Sequence, residues 1–179
     1  MRVCVITASI PARASLLEEC RASVAAQTVP CEHLVGVDVS REGPSVIRNR
    51  LAADTDADWL LPLDDDDLLD PDCVETLLER ALPDAQVVYP FCRMEGRTDG
   101  WNPNKLFNQI SLYQMNFIPC TALVRRDAWE ILGGYQQVPL EDWNMWQRAE
   151  LHGFRIQCVP EVLWTYRHHA GQNFQKQAA

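Results

Sequence analysis

The chain has 179 residues, 47% of them hydrophobic, enough to bury one core and too few for two independent ones, so a single domain is expected. Its formal net charge of −9 leaves no general basic field for gathering nucleic-acid backbones, which argues against a nucleic-acid partner. No run of about 18 apolar residues is present, and the amino terminus opens on the strand-like Arg2-Val3-Cys4-Val5-Ile6 in place of a basic leader, so a cytoplasmic protein without a membrane segment is expected.

In chain order, residues 2–7 read as a buried strand. Ser15, with Glu18 three residues on, is a capping-box pattern that predicts an amphipathic helix from 15 to about 27. A second strand is expected over 33–39, and Gly43-Pro44-Ser45 opens a helix carrying Val46, Ile47, Arg48, Asn49 and Leu51. A third strand over 59–63 follows, then a helix through 82 capped by Asp70, with Pro71 at its first position. A fourth strand over 86–92 completes an alternation of strands and helices. That alternation implies right-handed crossovers and an α/β domain whose mostly parallel central sheet is flanked by helices.

The second half is less regular. A polar loop over 93–103, a short helix over 104–113 and a strand over 118–124 lead into a helix over 126–132 stopped by Gly133-Gly134. A helix over 140–152 has acids at its start and Gly153 after its end; two short strands, 155–159 and 162–166, precede a polar tail. The seven scattered cysteines include no C-x-x-C pair and read as reduced, mostly buried thiols.

The acids Asp64-Asp65-Asp66-Asp67 follow directly on the apolar strand Trp59-Leu60-Leu61-Pro62-Leu63. In a doubly wound sheet, ligands bind beyond the carboxyl ends of strands, so the run is delivered to that crevice. Adjacent carboxylates repel, and a divalent cation with substrate phosphates completing its shell resolves the repulsion. A solvated acidic turn is the plainer alternative, weakened here by the apolar Leu68-Leu69 that follows. Trp143, Trp146 and Trp164 read as core residues, whereas Trp101, in the polar loop, is the candidate for stacking on a sugar or acceptor ring.

Leu63-Asp64-Asp65-Asp66-Asp67-Leu68 resembles the L-D-x-D-D segment of the family 2 glycosyltransferases, and other motifs follow in order along almost the whole chain. Thr7-Ala8-Ser9-Ile10-Pro11-Ala12-Arg13 is similar to the family's first loop, which wraps the nucleotide base, and Ser23-Val24-Ala25-Ala26-Gln27-Thr28 to its S-x-x-x-Q-T helix end. Asp38 falls where the base-reading Asp lies, and Arg48-Asn49 matches the R-N pair beside the nucleotide. Gly133-Gly134-Tyr135 resembles the G-G-[FY] turn, Glu141-Asp142 the E-D motif, and Tyr166-Arg167-His168-His169 the Y-R-x-H ending.

The resemblance implies a single GT-A domain over 1–179, with a nucleotide-binding half over 1–92, an acceptor and catalytic half over 93–169 and a tail over 170–179. It implies a donor site of Thr7, Ser9, Pro11, Arg13, Asp38, Arg48, Asn49, Asp64, Asp65, Gly133 and Gly134 for a UDP-sugar, and a divalent metal, Mn²⁺ or Mg²⁺, on Asp64, Asp66 and His169. Asp38 is chemically suited to accept a uracil N–H, and the two glycines let backbone approach a sugar closely. Asp142 is the implied base of an inverting transfer, with Glu141 positioning acceptor or sugar. A carboxylate at a helix start is stabilised in its ionised form, and the same position makes both acids ordinary helix caps.

The acceptor hydroxyl stays open: glycan, lipid carrier, protein side chain or modified base. The chain ends soon after His169, so no separate acceptor domain is expected, and the 93–103 loop or a partner in a homo-oligomer is left to read the acceptor. A nucleotidyltransferase would want a Gly-rich basic loop after the first strand, and residues 7–13 contain no glycine. A strand-end phosphatase motif of D-x-D-x-[TV] type and a calcium loop are both broken by Leu68 and Leu69. A catalytically silent domain of the same fold that binds a nucleotide-sugar or a partner is the remaining alternative.

Overall fold

The computed structural model describes residues 1–96 and 102–169; Trp101, the middle of the 93–103 loop and the tail from 170 lie outside the described residues. β1 (Val3–Ser9) is buried on both faces, with Val3 and Val5 in one core cluster and Cys4 and Ile6 in the other. A strand covered on both sides needs an unbroken apolar run, and that is the pattern read in the sequence. One turn of 3-10 helix, Pro11–Arg13, feeds straight into α1 (Ala14–Ala25). The expected capping box therefore does not form: Ser15 is already helical, the N-cap position is Arg13, and no side chain caps it.

β2 (Glu32–Val37) and α2 (Pro44–Ala53) follow, the helix entered through Gly43 at φ 95°, a conformation that disfavours any side chain. β3 (Trp59–Pro62), a two-residue β4 (Leu68–Leu69), α3 (Cys73–Arg80) and β5 (Ala85–Glu95) complete the first half. α3 begins later than expected, with Asp72 in place of Asp70 at its N-cap. Its first turn is capped from outside, the Val74 N–H donating to Gln27 Oε1 at 3.0 Å. Gln27 Nε2 also donates to the Asp70 carbonyl at 2.8 Å, the Thr28 N–H to the Pro71 carbonyl at 2.9 Å, and the Leu69 N–H to Ser23 Oγ at 3.2 Å. The S-x-x-x-Q-T stretch is thus a clamp on the chain just beyond the acidic run.

α4 (Gln109–Gln114) is capped by the Asn108 side chain, and β6 (Leu123–Arg125), α5 (Arg126–Leu132), α6 (Glu141–Leu151) and β7 (Arg155–Arg167) follow. The seven-stranded sheet has the order β2-β1-β3-β6-β5-β7-β4. It is mixed rather than mostly parallel: β1–β2, β1–β3 and β5–β7 are parallel, while β3–β6, β5–β6 and β4–β7 are antiparallel. The parallel expectation holds for β1 and β2, joined by α1, but a helix between strands does not guarantee it, since α4 lies between β5 and β6. It fails at β6, which hydrogen-bonds antiparallel to the strand before it in sequence and to β3 on its other side. The two short strands expected at the end are one, bulged where Val159 pairs Pro90 and Val162 pairs Phe91, leaving Pro160 and Glu161 over.

One core cluster includes Leu60, Val87, Trp129, Met145 and Trp146 against α2, α5 and α6; the other includes Leu61, Leu63, Val74, Leu77 and Trp164 against α1 and α3. Complete burial of Leu60, Leu61 and Leu63 contributes roughly 1.5–3 kcal/mol each and fixes the end of β3 from which the acids project. The seven cysteines are all free, four of them buried, and among the described residues no helix is long and apolar enough to cross a membrane.

α2 packs on β2 at Gly36, where an added Cβ would lie 2.4 Å from Ile47 Cγ2. Gly36→Ala is expected to lower stability to urea by about 1–3 kcal/mol. In an Ile47→Ala background, which removes the opposing methyl, the added cost should be close to zero; an equal cost in both backgrounds would show that the contact is not the cause.

Candidate active site

The carboxyl ends of β1, β2 and β3 open on a cleft of about 1000 Å³ whose wall includes Ser9, Arg13, Asp38, Arg48, the four acids and the Glu141–Asp142 pair. The acids leave β3 through a tight turn, the Asp67 N–H donating to the Asp64 carbonyl at 3.2 Å. Asp65 is buried and fully engaged: Ser9 Oγ donates to it at 2.6 Å and Arg13 Nη1 at 2.8 Å. Asp66 Oδ2 lies 3.2 Å from Arg13 Nη1 and 3.0 Å from His169 Nε2. Asp67 Oδ1 accepts the Arg167 N–H at 2.9 Å, while its Oδ2 is buried without a protein partner. Arg167 Nε donates to the Asp66 carbonyl, so the Y-R-x-H stretch braces the acidic turn from β7.

Asp64, Asp66 and Asp67 each offer a carboxylate oxygen, and the three lie within 4.8 Å of one another. Burial pushes the Asp66 pKa up, with the Asp64 charge adding to it, and Asp67 is raised well above the usual carboxylate range by burial and then by Asp64 and Asp66. The crowding expected from four consecutive acids is therefore present as electrostatic strain. Asp67, one of the run but given no role by its position, is part of the cluster.

Arg48 on α2 is buried between the two acidic ends of the cleft. Its Nη2 donates to Asp64 Oδ1 and its Nη1 to Glu141 Oε1 at 3.1 Å, with the guanidinium carbon 5.5 Å from the centre of the Tyr135 ring. Arg48 Nε has no protein partner. A single residue thus joins the end of β3 to the start of α6.

Asp142 stands in the first turn of α6. Its Oδ1 accepts the Trp143 N–H at 2.8 Å and its Oδ2 accepts Asn116 Nδ2 at 3.1 Å. The helix start was expected to hold this acid well ionised; instead burial wins over its hydrogen bonds and raises its pKa to about 6, with Glu141 adding to the rise.

Asp38 lines the cleft and accepts the Gly43 N–H at 2.8 Å and the Glu42 N–H at 3.0 Å, which hold its pKa low. Of the other residues named from the sequence, several lie off the cleft wall. Thr7 is wholly buried, its Oγ1 3.0 Å from His33 Nε2 on the α1 side of the sheet, and Pro11 is exposed at the start of the 3-10 turn. Asn49 donates to the Tyr135 carbonyl at 2.8 Å and accepts the Tyr135 N–H at 2.9 Å. Gly133 ends α5 at φ 68°, and a Cβ on Gly134 would lie 2.4 Å from Asn49 Oδ1. The close approach that Gly134 permits is to Asn49, whereas a Cβ on Gly133 would meet nothing within 4 Å.

The model of glycosyl transferase family 2 matches residues 35–137. The fold is similar to that of residues 1–349 of S. aureus TarS in complex with UDP-GlcNAc (TM-score 0.80, 16% identity, 98% of this chain and 61% of that one). It is similar to TarS with UDP (TM-score 0.76, 16% identity, 94% and 61%). It is also similar to the mannosyltransferase PcManGT from Pyrobaculum calidifontis in complex with GDP-Man and Mn²⁺ (TM-score 0.74, 16% identity, 98% and 59%). The chain therefore spans about three fifths of the length of these structural relatives. No curated protein matches the sequence.

Arg48→Met keeps the apolar inner part of the side chain and removes the guanidinium, leaving Asp64 and Glu141 without their shared cation. A loss of about 3 kcal/mol in chemical denaturation is expected, the lower end for a broken buried pair because Asp64 is partly exposed. Wild-type stability in this variant would mean that the bridge contributes nothing net.

Proposed function

This chain belongs to glycosyltransferase family 2, and on that premise we propose that it transfers a sugar from a nucleotide diphosphate, with UDP the expected nucleotide, to an acceptor hydroxyl with inversion at the anomeric carbon. The observation that carries the proposal is that the strand-end acids and the Glu141–Asp142 pair face one cleft, joined by Arg48. The complexes of the structural relatives with UDP-GlcNAc, and with GDP-Man and Mn²⁺, support a nucleotide-sugar donor and a divalent ion.

The donor set fits such an ion: oxygen ligands suit Mg²⁺ or Mn²⁺, and the unpartnered Asp67 Oδ2 together with the raised pKa values of Asp66 and Asp67 marks negative charge beyond what Arg13 offsets. Asp64 and Asp66 would hold it, with His169 beside Asp66 and Asp67 completing the acidic wall. When bound, the ion offsets the charge that grows on the departing diphosphate. Asp38 would accept a uracil N–H with a lone pair not used by its own loop, and Arg13 holds Asp65 and Asp66 in place.

Asp142 takes the proton of the acceptor hydroxyl as that oxygen bonds to the anomeric carbon and the bond to the diphosphate breaks. A pKa of about 6 leaves the carboxylate mostly ionised at neutral pH and a better base than an ordinary aspartate. Glu141, bonded to Arg48, sits beside it to position the sugar or acceptor.

Asp142→Asn should leave UDP binding by calorimetry nearly intact while turnover falls roughly 10²–10⁴-fold. Because the base works without its proton, wild-type turnover should rise with pH through about 6 and then level. Retention of wild-type turnover in Asp142→Asn, or a product with the donor's anomeric configuration by NMR, would exclude this mechanism.

Protons compete with a cation for Asp66 and Asp67, whose pKa values are raised. The rise in melting temperature given by UDP with Mn²⁺ is therefore expected to shrink as the pH is lowered below neutrality and to vanish in Asp66→Ala. An undiminished UDP shift in EDTA at all pH values would exclude the metal.

A further inference from the structure

Asn116 carries none of the family's motifs and lies in an irregular stretch between α4 and β6. α4 and that stretch are each fastened to α6: Trp143 Nε1 donates to the carbonyl of Leu112 in α4 at 2.5 Å and Trp146 Nε1 to the Ile118 carbonyl at 3.0 Å. Between these pins Asn116 faces the first turn of α6, and its Nδ2 donates to Asp142 Oδ2 at 3.1 Å. The amide orientation follows from chemistry, since an ionised carboxylate only accepts. Asn116 Oδ1, on the other side, is buried with no protein partner, a cost that an apolar residue at this position would avoid.

We propose that Asn116 is a positioning residue for the catalytic base: it holds the Asp142 carboxylate in one orientation and favours its ionised form. The inference rests on the reading of Asp142 as that base. The backbone N–H of Trp143 fixes one oxygen and the amide of Asn116 the other, so the carboxylate does not rotate about its terminal bond and its remaining lone pairs point in set directions. The charges around it act the other way. Glu141 beside it and Asp64 across the cleft disfavour a further negative charge, the Cys120 thiol and Tyr135 phenol are close neighbours, and Arg48 is occupied by Asp64 and Glu141. Among the groups that act on Asp142 most strongly, Asn116 supplies the side-chain donor that opposes burial.

The test compares wild type, Asn116→Ala, Asn116→Asp and Asp142→Asn in two readouts. One is a ¹³C-carboxylate NMR titration of labelled aspartate, in which the Asp142 signal is the one missing from Asp142→Asn. The other is the pH profile of sugar-nucleotide hydrolysis with Mn²⁺, using UDP-GlcNAc or GDP-mannose, whichever is turned over, with water as acceptor. Asn116→Ala is expected to raise the Asp142 midpoint by about one pH unit, the worth of a hydrogen bond to a charged group, and Asn116→Asp to raise it further. Hydrolysis by Asn116→Ala should then fall about tenfold at pH 5 and less than about twofold at pH 8.5, with UDP affinity unchanged. An unmoved NMR midpoint, or a loss of rate equal at all pH values, would overturn the role of Asn116. A midpoint that moves while the rate profile does not would overturn Asp142 as the base, and the inference with it.

Discussion

The cleft depends on one buried guanidinium. Asp64 follows a strand that is buried on both faces, and Glu141 begins a helix packed against one of them; Arg48 bridges the two carboxylates. Arg48 belongs to neither element. It projects from α2, which is itself seated on β2 through the missing side chain of Gly36, so the position of the bridge is set by backbone packing some distance from the charges it joins. Arginine suits this task where lysine would not, since its planar fork reaches two carboxylates in different directions while its face lies against the Tyr135 ring.

The neighbouring residue extends the same construction. Asn49 takes both backbone polar groups of Tyr135, which places the aromatic ring under Arg48 and leaves no room for a side chain at Gly134. The R-N pair and the G-G-Y turn, far apart in sequence, are two halves of one joint between α2 and α5. A second joint of the same kind is made by Ser23, Gln27 and Thr28 at the end of α1, whose side chains and backbone close on the segment after the acids. Both joints set the chain on which Asp64–Asp67 and Glu141–Asp142 are displayed, and of their residues Arg48 alone is on the cleft wall.

This division explains what the sequence made legible. β1 and β3 were readable because burial on two faces demands continuous apolar runs, and α5 was found over its full length because Gly133 marks its end. The acidic run was readable because strand and charge adjoin directly. Motif residues such as Asn49 and Gly134 were identifiable as important, but a motif does not distinguish a residue that touches the ligand space from one that supports a residue which does. The start of α3 was misplaced because its cap comes from Gln27 rather than from the local Asp70, and the sheet is mixed rather than mostly parallel because the direction of β6 is not encoded in local periodicity. Asn116 had no local signal at all: its significance is a contact across 26 residues of sequence.

The same competition between local and tertiary terms governs the chemistry. At a helix start the dipole and the free N–H groups favour an ionised Asp142, yet burial beside Glu141 outweighs them and moves the pKa toward neutrality, where a base is most effective. At the other end of the cleft the balance has no such internal remedy. Among the described residues lining it, Asp38, Glu42, Asp64, Asp65, Asp66, Asp67, Glu141 and Asp142 face two cations, Arg13 and Arg48, both already engaged with carboxylates. A diphosphate entering that field would add negative charge to a site where Asp66 and Asp67 already resist ionisation. In the proposed reaction, donor and divalent ion are therefore bound as one electrostatic unit: the acids draw in the ion, and the ion makes the cleft acceptable to the phosphates.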